Sequence, residues 1–210
     1  MIEIGVMWYP RKDEVFDRMK QSIGVDFTVY PDHDTFKHQH ESVKYLGGNV
    51  GCFKHYYRVL ADLCNSDADY VATFSDDVEY RLGWVDIALE KLKEDKVGFV
   101  SCYVPREIKY RFRIQNGWTK INRGWAGTYG GGYVFKKEVA QRLLEHPFVI
   151  KHRDTYAKNQ QIDHAIPQAI YEMGLNQWFY VPSLMNHIGI TSTIGHTHHN
   201  GTIGAGWPVK

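Results

Sequence analysis

The sequence predicts an α/β sandwich around a mixed, mainly parallel central sheet, with a small antiparallel hairpin beside it. Three observations carry that expectation. Short strand-like apolar runs recur along the 210 residues. Between several of them, apolar residues return at helical spacing. The run Ser75-Asp76-Asp77-Val78-Glu79 then follows directly on a buried-strand pattern, so two carboxylates stand where such sheets bind ligands, beyond the strand ends.

The elements follow in order. Strand-like runs lie at Ile2–Met7, Val25–Tyr30, Tyr70–Phe74, Val97–Tyr103, Tyr133–Phe135 and Gln177–Val181. Helical stripes are formed by Phe53, Tyr56, Tyr57, Leu60 and Cys64, by Trp84, Ile87, Ala88 and Leu92, and by Val139, Ala140, Leu143 and Leu144. Strands alternating with helices indicate a mainly parallel sheet. Lys109–Ile114 alternates polar and apolar residues and predicts a half-exposed strand or hairpin. Asn116–Gly132, rich in Gly, Trp and Tyr, reads as a long loop, which in a compact domain is often functional. One domain over 1–195 is expected, with an irregular Gly- and His-rich tail over 196–210.

Bulk properties narrow the function. A net charge of +1 gives no field to draw in nucleic acid or an anionic membrane. No run approaches the ~18 apolar residues of a membrane helix, and no signal-peptide pattern opens the sequence. Cys52, Cys64 and Cys102 are scattered and odd in number, so they read as reduced core thiols. A soluble, cytoplasmic protein is the expectation, whether whole or cut from a longer chain. Aromatic residues make up 14% of the chain, enough to fill a core and also to supply stacking faces.

Two adjacent buried carboxylates are costly without a cation. A hard divalent ion, Mg²⁺ or Mn²⁺, answers that cost with oxygen ligands. Asp77 is the expected metal ligand and Asp76 the contact to ribose or donor sugar, although adjacent Asp residues also arise by chance and cap helices. Gly131 and Gly132, in a triple glycine before a strand, permit close backbone approach to a ligand or simply make a turn. Trp118, Trp125 and Tyr129 in the same loop offer sugar-stacking faces.

Asp163 opens the helical stripe Ile162, Ile166, Ile170, Met173. Pro167 is tolerated only in a first turn, so the helix is expected to start near Asp163. Locally an N-cap is the better reading of this aspartate; a general base is the functional one. His187 is either an ordinary hydrogen-bonded histidine or a second metal ligand, a set that suits Mn²⁺ somewhat better than Mg²⁺. His196, His198 and His199 lack zinc-site spacing and read as polar tail. Tyr9 and Arg11 end the first strand, and Asp32 and Asp34 the second; in a nucleotide-binding sheet both ends border base and ribose. Lys54 and Arg58, one helical turn apart, meet phosphate or face water.

In this order the motifs resemble those of glycosyltransferases of the GT-A fold, a Rossmann-like α/β/α sandwich. Phe74-Ser75-Asp76-Asp77-Val78-Glu79 resembles the DXD motif, with Ser75 where many members carry an acid. Tyr129-Gly130-Gly131-Gly132-Tyr133-Val134-Phe135 resembles the glycine-rich segment of the Fringe-like class. Asp163 stands where that class carries its base, and Pro182–Gly189 resembles the late segment whose histidine binds metal. The match spans roughly 1–195. It implies a metal-dependent transfer from a UDP-sugar to a hydroxyl of a glycan or glycoprotein, with Asp163 as base and inversion at the anomeric carbon. The chain also resembles the N-terminal domain of the multidomain proteins with which chloroviruses glycosylate their capsid, which implies the host cytoplasm and UDP-rhamnose among the candidate donors. Competing readings are a non-catalytic nucleotide-sugar or glycan module, a sugar-1-phosphate nucleotidyltransferase without its Gly-rich triphosphate signature, and a transferase on modified DNA bases without a basic stripe.

Overall fold

A computed structural model describes residues 1–9, 13–33, 35–37, 40–48, 50–122, 124, 132–155, 162–188 and 204–207. Arg11, Asp34, Trp125, Tyr129, Gly130, Gly131, His196, His198 and His199 lie outside the described residues.

The elements run β1 (Ile2–Trp8), α1 (Asp13–Ile23), β2 (Thr28–Pro31), α2 (Cys52–Leu63), β3 (Tyr70–Ser75), β4 (Val78–Tyr80), α3 (Trp84–Leu92) and β5 (Val97–Ser101). Then come α4 (Arg106–Arg111), β6 (Gly117–Ile121), β7 (Gly132–Lys136), α5 (Lys137–Leu144), α6 (Pro147–Asp154), α7 (Ile162–Glu172), β8 (Asn176–Val181) and β9 (Met185–His187). Among the described residues, seven strands form one sheet in the order β2-β1-β3-β7-β5-β8-β6. Strands β2, β1, β3, β5 and β8 run one way; β7, between β3 and β5, and the edge strand β6 run against them. The expected mixed, mainly parallel sheet is therefore present.

Period-two alternation sends side chains of one strand to opposite faces. On β3, Ala72 and Phe74 join a cluster with Phe16 and Met19 of α1 and Trp84 and Ala88 of α3. Val71, from the same strand, joins Val59 and Leu60 of α2, Val139 and Leu143 of α5, and Ile166 and Ile170 of α7. The sheet is thus a middle layer with helices on both faces. Burying both faces explains why its central strands read as nearly continuous apolar runs.

Two local expectations are corrected. Residues 109–114 are not a strand: α4 starts after Pro105, and Lys109 N–H donates to the Pro105 carbonyl at 3.0 Å. Ile108 and Phe112, four apart, form one helical face that packs on Val104, Ile114, Phe179 and Val181. That stripe outweighs the polar–apolar alternation, and Tyr110 is left exposed. The loop over 116–132 in turn contains edge strand β6, paired antiparallel with β8 from Gly117↔Val181 to Ile121↔Gln177. The small antiparallel pair lies elsewhere and joins distant segments, β4 and β9.

Helix α7 also differs in detail. It includes Ile162, and Pro167 sits inside it. Lacking an N–H, Pro167 cannot supply the usual bond to the Asp163 carbonyl. Its own carbonyl accepts from Gln177 Nε2 at 3.2 Å. Residues 204–207, expected in the irregular tail, are docked on the body. Ala205 N–H donates to the Val104 carbonyl, and Ser183 N–H donates to the Ala205 carbonyl, both at 2.7 Å. None of the described helices is long and apolar enough to cross a membrane.

Candidate active site

Topology gathers the candidate residues at one end. The carboxyl ends of β1, β2, β3, β5 and β8 share a side of the sheet. Because β7 is reversed, its first residue, Gly132, lies there too, paired with Phe74. A helix that runs back to start a parallel strand begins at that same end, as α7 does before β8.

The Asp pair is held by backbone. Asp76 N–H extends the β1–β3 pairing and donates to the Met7 carbonyl at 3.1 Å. Tyr9 N–H donates to Asp76 Oδ2 at 3.1 Å. The next carboxylate, Asp77, accepts from Ser75 Oγ at 2.7 Å on Oδ1. Asp76 and Asp77 are buried at 1% and 3% exposure, so their fixed partners matter. The chain then enters β4, which pairs Val78 with His187. That register sets His187 Nε2 2.8 Å from Asp77 Oδ2. The Asp77 carbonyl accepts from Ile188 N–H at 2.8 Å, closing the link.

A carboxylate and an imidazole meeting in a buried pocket form a mixed O/N donor pair. Among the described residues no third His, Cys, Asp or Glu completes a cluster. Such a pair fits a cation whose other ligands are oxygens of a bound molecule or water.

The nucleoside-side candidates cluster around β1, β2 and α2. Tyr9 is buried, with its hydroxyl 3.5 Å from Cys52 Sγ at the start of α2. Burial is the main reason its phenol is held well above the ordinary range. Asp32 N–H donates to the Trp8 carbonyl at 3.0 Å. Its Oδ1 faces His55 Nδ1 of α2 at 3.7 Å. Arg58, further along α2, donates from Nη1 to the Leu46 and Gly47 carbonyls at 3.0 and 3.2 Å. Lys54 is half-buried; the carboxyl of Asp154, at the end of α6, is lowered chiefly by its hydrogen bonds from Arg153, with a smaller contribution from the Lys54 charge.

Asp163 is half-buried in the first turn of α7. Its neighbour His164 has a ring 5.6 Å from that of His152. His152 in turn lies 5.8 Å from Phe53, in the first turn of α2. The starts of α7 and α2 therefore share the mouth side.

Sequence reasoning gave no role to Ser75, Asn186 or His55. Ser75 braces Asp77. Asn186 Oδ1 accepts from Gly204 N–H at 2.8 Å, tying the docked 204–207 stretch to the strand that carries His187. Arg81 reinforces this stretch, donating to the Ser183 and Gly206 carbonyls with its guanidinium 5.3 Å above the Trp207 ring. No spacing in the sequence announces such long-range contacts; a signal for Ser75 was its place two residues before a candidate ligand.

No family model and no curated protein sequence matches the chain. Among solved structures it is similar to GalNAc-T7, a GT-A glycosyltransferase crystallised with UDP, GalNAc and Mn²⁺. The TM-score is 0.61 at 9% identity, over 90% of this chain and 43% of that one. The chain thus spans less than half the length of that structure. What this likeness establishes is the fold: a GT-A-like α/β/α sandwich with a small two-stranded antiparallel sheet.

Proposed function

We propose that the chain is a metal-dependent glycosyltransferase. It moves a sugar from a nucleoside diphosphate, UDP by preference, to a hydroxyl of a glycan or glycoprotein, with inversion. The observation that carries this reading is the convergence of Asp77 and His187 at 2.8 Å, at the strand-end mouth of a GT-A-like sheet. GalNAc-T7 was crystallised with UDP and Mn²⁺, which supports the same ligand classes here.

Asp77 and His187 would hold the cation, Mn²⁺ or Mg²⁺. Bound there, it supplies positive charge to stabilise a departing diphosphate. The protein's own residues do the rest. Ser75 fixes the rotamer of Asp77 through the 2.7 Å bond. Asp76, held by Tyr9 N–H, turns its carboxylate to the ribose or donor sugar. Tyr9 and Asp32 border the nucleoside. Gly132 lets the start of β7 pack closely on Met185 and Phe74, which a side chain there would strike. Asp163 takes the proton of the acceptor hydroxyl as it attacks the anomeric carbon, which inverts that centre.

The order of the glycine-rich segment, the base and the late histidine supports the Fringe-like class. The acceptor we assign is a sugar on a capsid glycan; its support is the sequence resemblance alone. A thermal-shift screen of nucleotide-sugars with and without Mn²⁺ tests the proposal, since a ligand of the native state raises the melting temperature by mass action. A UDP-sugar should stabilise the protein only with metal present, and adding acceptor should release UDP. Metal-independent binding without UDP release would instead identify a non-catalytic module.

A further inference from the structure

One buried titratable side chain at the mouth has no part in the mechanism above. His55, on α2, is fully buried. Its Nε2 lies 2.9 Å from the Tyr30 carbonyl, so this nitrogen carries the hydrogen and donates. Nδ1 faces Asp32 Oδ1 at 3.7 Å. Neither atom reaches solvent, and neither has a hydrogen-bond partner among the described residues. The Asp32 side chain as a whole keeps 14% exposure.

With Nδ1 unprotonated, a ring lone pair and a carboxylate lone pair face each other at 3.7 Å. Buried acceptors without donors are costly. One proton on Nδ1 would satisfy both atoms at once. Burial opposes that proton and lowers the histidine's pKa; the Asp32 charge favours it, and Arg58, one helical turn along, disfavours it. From the end of β1, Tyr9 packs its ring against His55 at 5.8 Å, with its hydroxyl at Cys52. In the free protein these influences leave the ring neutral at pH 7.

Covering Asp32 with a ligand changes that balance. Water is removed from the carboxylate, and its attraction for a nearby positive charge strengthens as the local dielectric falls. A buried carboxylate without a cation is also costly. We propose that His55 is a positioning residue of the nucleoside subsite: it takes up a proton at Nδ1 when a base covers Asp32, and so keeps that carboxylate ionised and aimed at the base. An ionised carboxylate only accepts hydrogen bonds. The subsite is therefore selective for a base that offers a ring N–H, as uracil does, over cytosine, whose corresponding nitrogen is an acceptor. This inference rests on the reading of the site as a nucleoside-diphosphate-sugar pocket.

The test uses the full chain labelled with ¹⁵N-histidine, and UDP-glucose with a constant excess of diamagnetic Mg²⁺, between about pH 5.5 and 8.5. The two phosphates of this probe do not titrate in that range, so its own charge stays constant. The His55 ring nitrogens should move to imidazolium shifts on saturation. Affinity should weaken as pH rises, by up to about tenfold per pH unit, because one proton is taken up. His55→Gln, which keeps a donor toward Tyr30 but lacks Nδ1, should bind more weakly and with no pH slope. CDP-glucose should bind markedly more weakly than UDP-glucose to the parent protein.

PH-independent binding of UDP-glucose, or a ring neutral in the saturated complex, overturns the inference and leaves the glycosyltransferase reading in place. Failure of UDP-glucose to bind with either Mg²⁺ or Mn²⁺ present overturns both. The parent protein alone decides the matter through its ring shifts, even if His55→Gln does not fold.

Discussion

The imidazole of His187 meets the carboxylate of Asp77 at 2.8 Å, although 110 residues separate them in the chain. The short β4–β9 pair creates this meeting by setting His187 opposite Val78, one residue beyond Asp77. Removing either partner should therefore abolish cation binding while leaving the main sheet intact. Asp77→Asn and His187→Gln are each expected to lose Mn²⁺-dependent UDP binding. Transfer should slow on the order of a hundredfold or more, corresponding to about 3 kcal/mol. Calorimetric titration of UDP with and without Mn²⁺ checks this; unchanged metal dependence in Asp77→Asn refutes the assignment.

Ser75 should matter through Asp77. Ser75→Ala removes the hydroxyl that fixes Asp77 Oδ1. Losing an outer partner of a metal ligand typically weakens metal affinity by about tenfold or more. The expected result is weaker Mn²⁺ binding with the melting temperature of the metal-free protein little changed.

Base and metal roles should separate. Asp163→Asn is expected to keep Mn²⁺-dependent UDP binding and to lose about a hundredfold or more in transfer, the usual scale for removing a positioned proton acceptor. Transfer at the parental rate would remove Asp163 from the mechanism.

Gly132 couples the central sheet to β9, the strand that carries His187. A Cβ there would come within 2.5 Å of Met185 Sδ and 3.2 Å of Phe74 Cδ1. Met185 is fully buried, two residues before His187, and has little room to retreat. Gly132→Ala should cost about 1–3 kcal/mol of stability, as overpacking does. It should also weaken Mn²⁺ binding. Met185→Ala should restore part of both in the double variant, readable by denaturant melts and calorimetry.

Acid should destabilise the ligand-free protein before its carboxylates titrate. His55 and His152 both have pKa values lowered mainly by burial, from an ordinary value near 6.5. Between that value and the lower folded one, the unfolded chain binds more protons than the native one, so stability falls as pH falls. Their contribution is complete above about pH 6.5 and is lost as pH drops through the folded values. Denaturant melts across this range should show the decline, and His55→Gln should flatten part of it.

Much of the architecture was legible in the sequence because the central strands are buried on both faces and the helices keep clean stripes. Asp76 and Asp77 stood out because two acids directly after a buried strand are electrostatically conspicuous. What the sequence hid was determined by distant contacts. Ile108 and Phe112 form a helical face only because Phe179 and Val181 lie beneath it. Gly117–Ile121 becomes a strand only because β8 offers a free edge. His55 looked like one more polar residue on a helix until the ends of β1 and β2 enclosed it. Arg58, legible as a phosphate candidate, donates from Nη1 to the backbone at 46–47, a segment with no periodic pattern of its own.

The amino group of Met1 pairs with Asp69 at 2.8 Å, just before β3 begins. It therefore lies a full strand, about 20 Å, from Trp8 and the mouth. A bead, sensor surface or neighbouring module joined at Met1 would hang from the far side of the molecule and leave the opening clear for bulky polymers.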